Sequence, residues 1–290
     1  MNLLKKNLNN IEYEITLFGN KKPKLSMKER IGFLPISIWK PNQYQSQKLK
    51  KLIGDVGKAR NECAKNADSK IRGGGGIMYQ RKPSIFNPLL AQMILSAYCP
   101  TNAKIFDPFA GGGTRGFVAT AMKHTYFGLE IRKQEVDRII KLQNKLQLFF
   151  DIKQANAMYF DAYKENTFDF IYTCPPYYNL EIYSNIKGDL SNCKSYTEFL
   201  DNLYLVIQKT YKFLKKDRLA VWVVGNFRNL DGNLVYFNGD LVKLGIKAGF
   251  KLHDEIIIHS ASDVAKLRVG SFETNRKIVR VHEYLIIFKK

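Results

Sequence analysis

From about residue 84 onward, apolar residues fall into two alternating patterns. Short apolar runs of strand length are followed by longer stretches in which apolar positions recur every three or four residues. The runs predict strands at 104–106, 125–129, 149–155, 168–173, 219–224, 252–259 and 284–288. The longer stretches predict helices at 89–98, 116–123, 132–148, 196–214 and 241–248. In the third of these, Val136, Ile139, Ile140, Leu142 and Leu146 fall roughly on one face. Asn87-Pro88 opens the first helix, because proline is tolerated in a first turn, where its missing N–H is not needed. Strands alternating with helices imply right-handed crossovers and a mostly parallel sheet covered on both faces. The segment between the last two strands is loop-like and mostly polar, so those two are expected to pair as an antiparallel hairpin.

Residues 1–82 lack that regularity. Leu34 to Trp39 alternates weakly, 47–64 reads as a basic helix, and Gly73 to Gly76 form a flexible joint. This segment carries 18 Lys and Arg against 6 Asp and Glu, which is +12 of the chain's net +20. The chain is therefore expected to divide into a basic N-terminal extension, 1–82, and a catalytic domain, 83–290. The extension is either a nucleic-acid clamp, with Trp39, Tyr44 and Tyr79 to stack on bases, or a solvated charge run over a few core aromatics.

A net charge of +20 and a pI near 9.7 favour a polyanionic partner over a merely solubilising lysine-rich surface. Each phosphate neutralised by such a surface releases condensed counterions. Cys63, Cys99, Cys174 and Cys193 form no CxxC pair, and no histidine stands at metal-ligand spacing. No metal site and no disulfide framework are expected, which fits a reducing cytoplasm. No apolar run has membrane-spanning length, and no secretory leader is expected.

Two stretches carry the chemistry. Asp107-Pro108-Phe109-Ala110-Gly111-Gly112-Gly113-Thr114 lies between a strand and a helix, where parallel sheets bind ligands. Its glycines let the backbone approach a ligand closely, and Glu130 ends the next strand, where a carboxylate can accept both hydroxyls of a ribose. The loop is neither GxxxxGK[ST] nor GxGxxG, so an ATP-type or dinucleotide loop is not indicated. Thr173-Cys174-Pro175-Pro176-Tyr177-Tyr178-Asn179 follows the fourth strand in the same way.

Together these stretches resemble the paired DPF-x-GxGT and (D/N/S)PP(Y/F) motifs of amino-methyltransferases acting on DNA. The closing His282 to Lys289 is similar to that family's final strand, and the resemblance spans roughly residues 84–290. It implies a Rossmann-like methyltransferase with a mostly parallel seven-stranded sheet and an antiparallel C-terminal hairpin. It implies S-adenosylmethionine as cofactor, and adenine N6 or cytosine N4 in DNA as the methyl acceptor. By the same resemblance, Phe86, Asn87 and Pro88 touch the cofactor, as do Asp107, Phe109, Ala110, Gly111, Gly113 and Thr114 from the loop. Glu130 would hold the ribose, and Asn156 would meet the adenine edge where the family commonly has Asp. Cys174, Pro175, Pro176 and Tyr177 would hold and stack on the target base.

Cys174 departs from the family pattern. It either does the serine's work with help from the Pro175 carbonyl, or signals a different acceptor, or marks an inactive copy. Three other readings stand beside the first: an RNA methyltransferase acting on guanine N2, a nucleic-acid-binding protein that keeps only the fold, and a protein-glutamine methyltransferase. No large recognition insert is present, so target recognition is expected from 1–82 and the loops at 178–195 and 260–282. Arg268, Arg276, Lys277 and Arg280 give the last of these its basic character, and Arg228 either meets phosphate or caps a turn.

Overall fold

Among the described residues, eight strands hydrogen-bond into one sheet, and the sheet's carboxyl edge is where both motifs arrive. The computed structural model describes residues 13–15, 21–23, 36–41, 69–72, 78–81, 86–178, 181–182, 184–229, 231–259 and 271–290. The basic helix at 47–64, Tyr44, the Tyr79 side chain, the joint at Gly73–Gly76, Cys63 and Arg268 lie outside the described residues.

The sheet contains β1 (Ile38–Trp39), β2 (Lys104–Asp107), β3 (Thr125–Glu130), β4 (Asp151–Gln154), β5 (Phe168–Thr173), β6 (Leu214–Val224), β7 (Lys251–His259) and β8 (His282–Lys289). Their spatial order is β1-β7-β8-β6-β5-β2-β3-β4. All neighbours are parallel except β8, which runs antiparallel to both β6 and β7. The expected α/β fold with a closing antiparallel pair is found, with one strand more than the seven predicted.

The extra strand comes from the N-terminal segment. Ile38 and Trp39 pair with Ile257 and Ile258 of β7, and Ile257 N–H donates to the Ser37 carbonyl at 2.8 Å. Trp39 is 1% exposed and stacks on Tyr98 with centroids 6.1 Å apart. Its expected availability for stacking on bases is therefore corrected: the ring is part of the core. The weak alternation of Leu34 to Trp39 covers this strand, but two paired residues are too few to mark it as an element.

Among the described residues, the longer helices are α1 (Pro88–Tyr98), α2 (Thr114–Ala121), α3 (Lys133–Leu146), α4 (Tyr196–Phe213) and α5 (Phe237–Lys247). Asn87 caps α1 by accepting from the N–H groups of Leu89 and Leu90, and Pro88 takes the first turn. One face of the sheet packs on α1 and α2 through Leu90, Ile94, Val118, Ile105, Val221 and Ile287. The other packs on α4 and α5 through Leu203, Ile207, Leu241, Phe106, Trp222 and Ile286. Along β8, odd and even positions divide between these two cores, as strand alternation requires. On α3, Val136, Ile139 and Leu142 turn inward, whereas Ile140 is 44% exposed and falls off the expected face.

Candidate active site

Asp107 ends β2 fully buried, and four donors converge on its carboxylate. Oδ1 accepts from the Phe109 N–H at 3.0 Å and from Thr173 Oγ1 at 2.7 Å. Oδ2 accepts from Arg115 Nε and from the Tyr126 hydroxyl, both at 2.6 Å. This one side chain ties together β2, the loop after it, β3, the start of α2 and the last residue of β5. A buried charge is tolerable only with such partners. Arg115 in turn donates to the Phe109 carbonyl and lies 4.9 Å from the centroid of the Phe86 ring. Burial works against the guanidinium's charge, but the adjacent Asp107 more than offsets it and raises its pKa.

The loop between β2 and α2 turns on two glycines with positive φ, +53° at Gly111 and +76° at Gly113. Gly113 also lies against α3, where an added Cβ would sit 3.1 Å from Ile139 Cγ1. Beside it, Thr114 is 2% exposed, and its hydroxyl has no hydrogen-bond partner among the described residues. A buried, unpartnered hydroxyl at the first turn of a helix is a ready donor for a ligand carrying a carboxylate.

The cleft above this loop has a volume of about 640 Å³. It is lined by Phe86, Asn87, Phe109, Ala110, Gly111, Thr114, Glu130 and Asn156, and also by Cys174, Pro175, Pro176 and Tyr177. Three residues expected at the cofactor do not line it: Pro88, Asp107 and Gly113. Pro88 starts α1, Asp107 is consumed by its four internal donors, and Gly113 faces α3.

Glu130 ends β3, 7% exposed. Its Oε1 accepts from both the backbone N–H and Nε of Arg132, each at 2.9 Å, and the residue lines the cleft. Burial raises the Glu130 pKa, and Arg132 opposes that rise. Asn156 lines the cleft with its amide already engaged. Its Oδ1 accepts from Met158 N–H at 2.9 Å, and its Nδ2 donates to the Gly188 carbonyl at 3.3 Å. It binds the loop after Cys174–Tyr177 to the end of β4, and only its remaining lone pair and proton are left for an adenine edge.

At the other end, Cys174 is half-buried and Pro175 is buried. Tyr177 meets the edges of Phe227 and Phe237, with centroids 5.9 and 6.1 Å away, and its hydroxyl donates to Glu283 Oε1 at 3.5 Å. Arg115, Arg132, Glu135, Asn226, Arg280 and Glu283 also line the cleft, although sequence reasoning does not single them out as site residues. Arg115 has no motif position of its own. Glu283 does carry a signal, a carboxylate set at the head of an otherwise apolar strand. Arg276 and Lys277 lie near Arg280 in sequence, but only Arg280 reaches the cleft.

The residues present fit S-adenosylmethionine. The cleft volume suits a nucleoside-sized ligand with a second occupant beside it. Glu130 offers a carboxylate oxygen for a ribose diol, Thr114 an orphan hydroxyl, and Gly111 a backbone without a side chain.

A family described as DNA methylase (N6/N4 methyltransferases) matches residues 2–141 and 168–290. No protein of curated function matches the chain. Among solved structures, the [4+2]-cyclase SpnF superimposes with a TM-score of 0.52 at 13% identity, over 84% of this chain and 94% of its own. An S-adenosylmethionine-dependent methyltransferase from Methanosarcina mazei gives 0.49 at 12% identity, over 68% and 96%. The 1,6-didemethyltoxoflavin-N1-methyltransferase of Burkholderia thailandensis gives 0.45 at 15% identity, over 69% and 76%. The likeness to SpnF concerns the fold alone, and the family match goes further. The chain belongs to the N6/N4 DNA methylase family and is a Rossmann-like methyltransferase that uses S-adenosylmethionine.

Proposed function

We propose that the protein methylates an exocyclic amino nitrogen of a DNA base, adenine N6 or cytosine N4. The observation that carries this reading is a cleft lined both by the glycine loop and by Cys174–Tyr177. Methyl donor and acceptor then share one enclosed space at the carboxyl edge of the sheet. We assign the donor side to Phe86, Asn87, Phe109, Ala110, Gly111, Thr114 and Glu130, with Asn156 at its margin. Asp107, Gly113 and Pro88 act behind them, as supports. The acceptor side is Cys174, Pro175, Pro176 and Tyr177.

S-adenosylmethionine supplies a methyl group on positively charged sulfur, which leaves as a neutral thioether. The chain must do the rest. A base's amino lone pair is conjugated with its ring and is a poor nucleophile until its hydrogens are held by acceptors. Pro175 and Pro176 have no N–H, so the backbone there offers carbonyl acceptors without donors, and we assign the Pro175 carbonyl to the amino group. Cys174 stands where the family has Asp, Asn or Ser, and it fills the serine's space while accepting more weakly. Tyr177, held from behind by Phe227 and Phe237, offers its ring to a base extruded from the duplex.

The basic charge of 1–82 supports a role for that segment on the nucleic acid, with 83–290 as the catalytic domain. Residues 38–39 are the exception, because they complete the sheet. Mass spectrometry of nucleosides after incubation with labelled cofactor tests the reading. N6-methyladenine or N4-methylcytosine in DNA is the expected product. Label confined to an RNA nucleoside or to protein would overturn it.

A further inference from the structure

An amino group that gains a methyl must shed a hydrogen, and the Cys174 thiol is a weak acceptor for it. The cleft contains a stronger one. Because β8 runs against its neighbours, its first residues sit at the edge where the parallel strands end. Glu283 is there, opposite Ile258 of β7 and next to Tyr284, which pairs with Val224 at the end of β6. It lines the same cleft as Cys174, Pro175 and Tyr177. Its one hydrogen bond among the described residues is the long one from the Tyr177 hydroxyl, at 3.5 Å, and no Lys or Arg forms an ion pair with it there. At the end of β6, an added Cβ on Gly225 would come 3.1 Å from the Tyr177 hydroxyl and 3.7 Å from Glu283 Cγ. Glycine at 225 thus leaves space for the pair. A sheltered carboxylate with one long bond and no ion pair among the described residues does little for folding. Burial raises its pKa, only partly opposed by the Tyr177 bond, and this makes it a better base.

We propose that Glu283 is the proton acceptor of the methyl transfer, set at the cleft by β8 and oriented by Tyr177. This rests on the reading that the acceptor is a base's amino nitrogen. The nitrogen lone pair forms the new bond to the methyl carbon, and the carbon–sulfur bond breaks with its electron pair going to sulfur. The surplus proton on nitrogen passes to a Glu283 oxygen and from there to solvent. The titratable and charged groups around Glu283 are Cys174 and Tyr177 from the segment after β5, Arg280 and His282 from its own approach, and His259 opposite His282 on β7.

The test compares Glu283→Gln and Glu283→Asp with the wild type in kcat, KM and cofactor Kd between about pH 5 and pH 9. Glu283→Gln should lose about 100-fold or more in kcat, as removal of a general base does, with cofactor Kd unchanged. Glu283→Asp should restore part of the turnover. The wild-type acidic limb should lie above the usual carboxylate range, vanish in Glu283→Gln, and persist in His282→Asn. An active wild type whose kcat and acidic limb survive Glu283→Gln would overturn this proposal alone. So would equal loss of cofactor binding and turnover in both variants, which marks a structural role. A wild type that methylates no nucleobase amine overturns the target reading, and this proposal falls with it.

Discussion

At Asp107 the requirements of folding and of binding meet in one side chain. Its four donors come from two strands, a loop and a helix, and the two motif regions are joined through its bonds to the Phe109 N–H and Thr173. Replacing it with alanine leaves the Arg115 guanidinium buried without its counter-charge, which costs about 3–5 kcal/mol. Tyr126→Phe removes a single donor and should cost about 2 kcal/mol. Urea titration of the two variants checks the ranking, and equal losses would mean that the network is not centred on Asp107. His124 makes a second residue-level prediction. Burial lowers its pKa from 6.5 to about 4, and its Nδ1 accepts from the Ala103 N–H at 3.3 Å, which requires the neutral ring. Between those two pH values the unfolded chain binds the proton and the folded chain does not. Its contribution is therefore complete above about pH 6.5 and lost progressively toward pH 4, by about 3 kcal/mol. His124→Asn keeps an acceptor without a titration, so its stability curve should be flatter than the wild type's over this interval. Parallel curves would contradict the assignment.

The elements of the catalytic half are legible because each buries a face with its own period. The strand runs at 104–106, 125–129 and 168–173 and the α4 pattern are found within a few residues of their expected bounds. Only the apolar half of β6 reads as a strand. The element begins at Leu214, directly after α4, but Lys215 to Arg218 are polar, Asp217 has φ +61°, and the register with β5 shifts before Leu219. Strand β1 is illegible for a different reason, since only a tertiary partner tells a two-residue strand from a loop. The same limit applies at the site. Motif spacing places the glycine loop and Cys174–Tyr177, but it does not separate residues that line the cleft from those, such as Asp107, that stand behind it. Nor does it find Arg115 or assign Glu283 a place, because the sheet alone brings them to the cleft. Trp39 illustrates the hazard of assigning a role by composition. As a core residue packed between β7 and α1, it should cost about 3–5 kcal/mol when changed to alanine. Guanidinium unfolding measures that cost. A Trp39→Ala protein of unchanged stability but weakened DNA binding would return the ring to the role of a stacking platform.

On the scale of the whole molecule, charge and chemistry are unevenly distributed. The charges that line the cleft nearly balance, with Arg115, Arg132 and Arg280 against Glu130, Glu135, Asp189 and Glu283, so the residues around the chemistry add little net charge. The excess lies elsewhere, and residues 1–82 hold +12 of the +20. This separation suits an enzyme that must grip a long polyanion while handling one uncharged base. Grip of that kind is governed by counterion release, so it depends on salt far more than cofactor binding does. Raising salt from about 50 to about 200 mM should weaken binding to duplex DNA by ~100-fold or more, corresponding to about four neutralised phosphates. Cofactor affinity, which we propose is set by Glu130, Thr114 and the glycine loop inside the cleft, should change by less than about twofold over the same range, because buried contacts are poorly screened. Fluorescence anisotropy with a labelled duplex and calorimetry with the cofactor read the two separately. If both fell together, the cleft and the basic surface would not be separate parts of the machine. If neither changed, the charge excess would serve solubility, and the grip on DNA would have to come from the loops around Cys174–Tyr177.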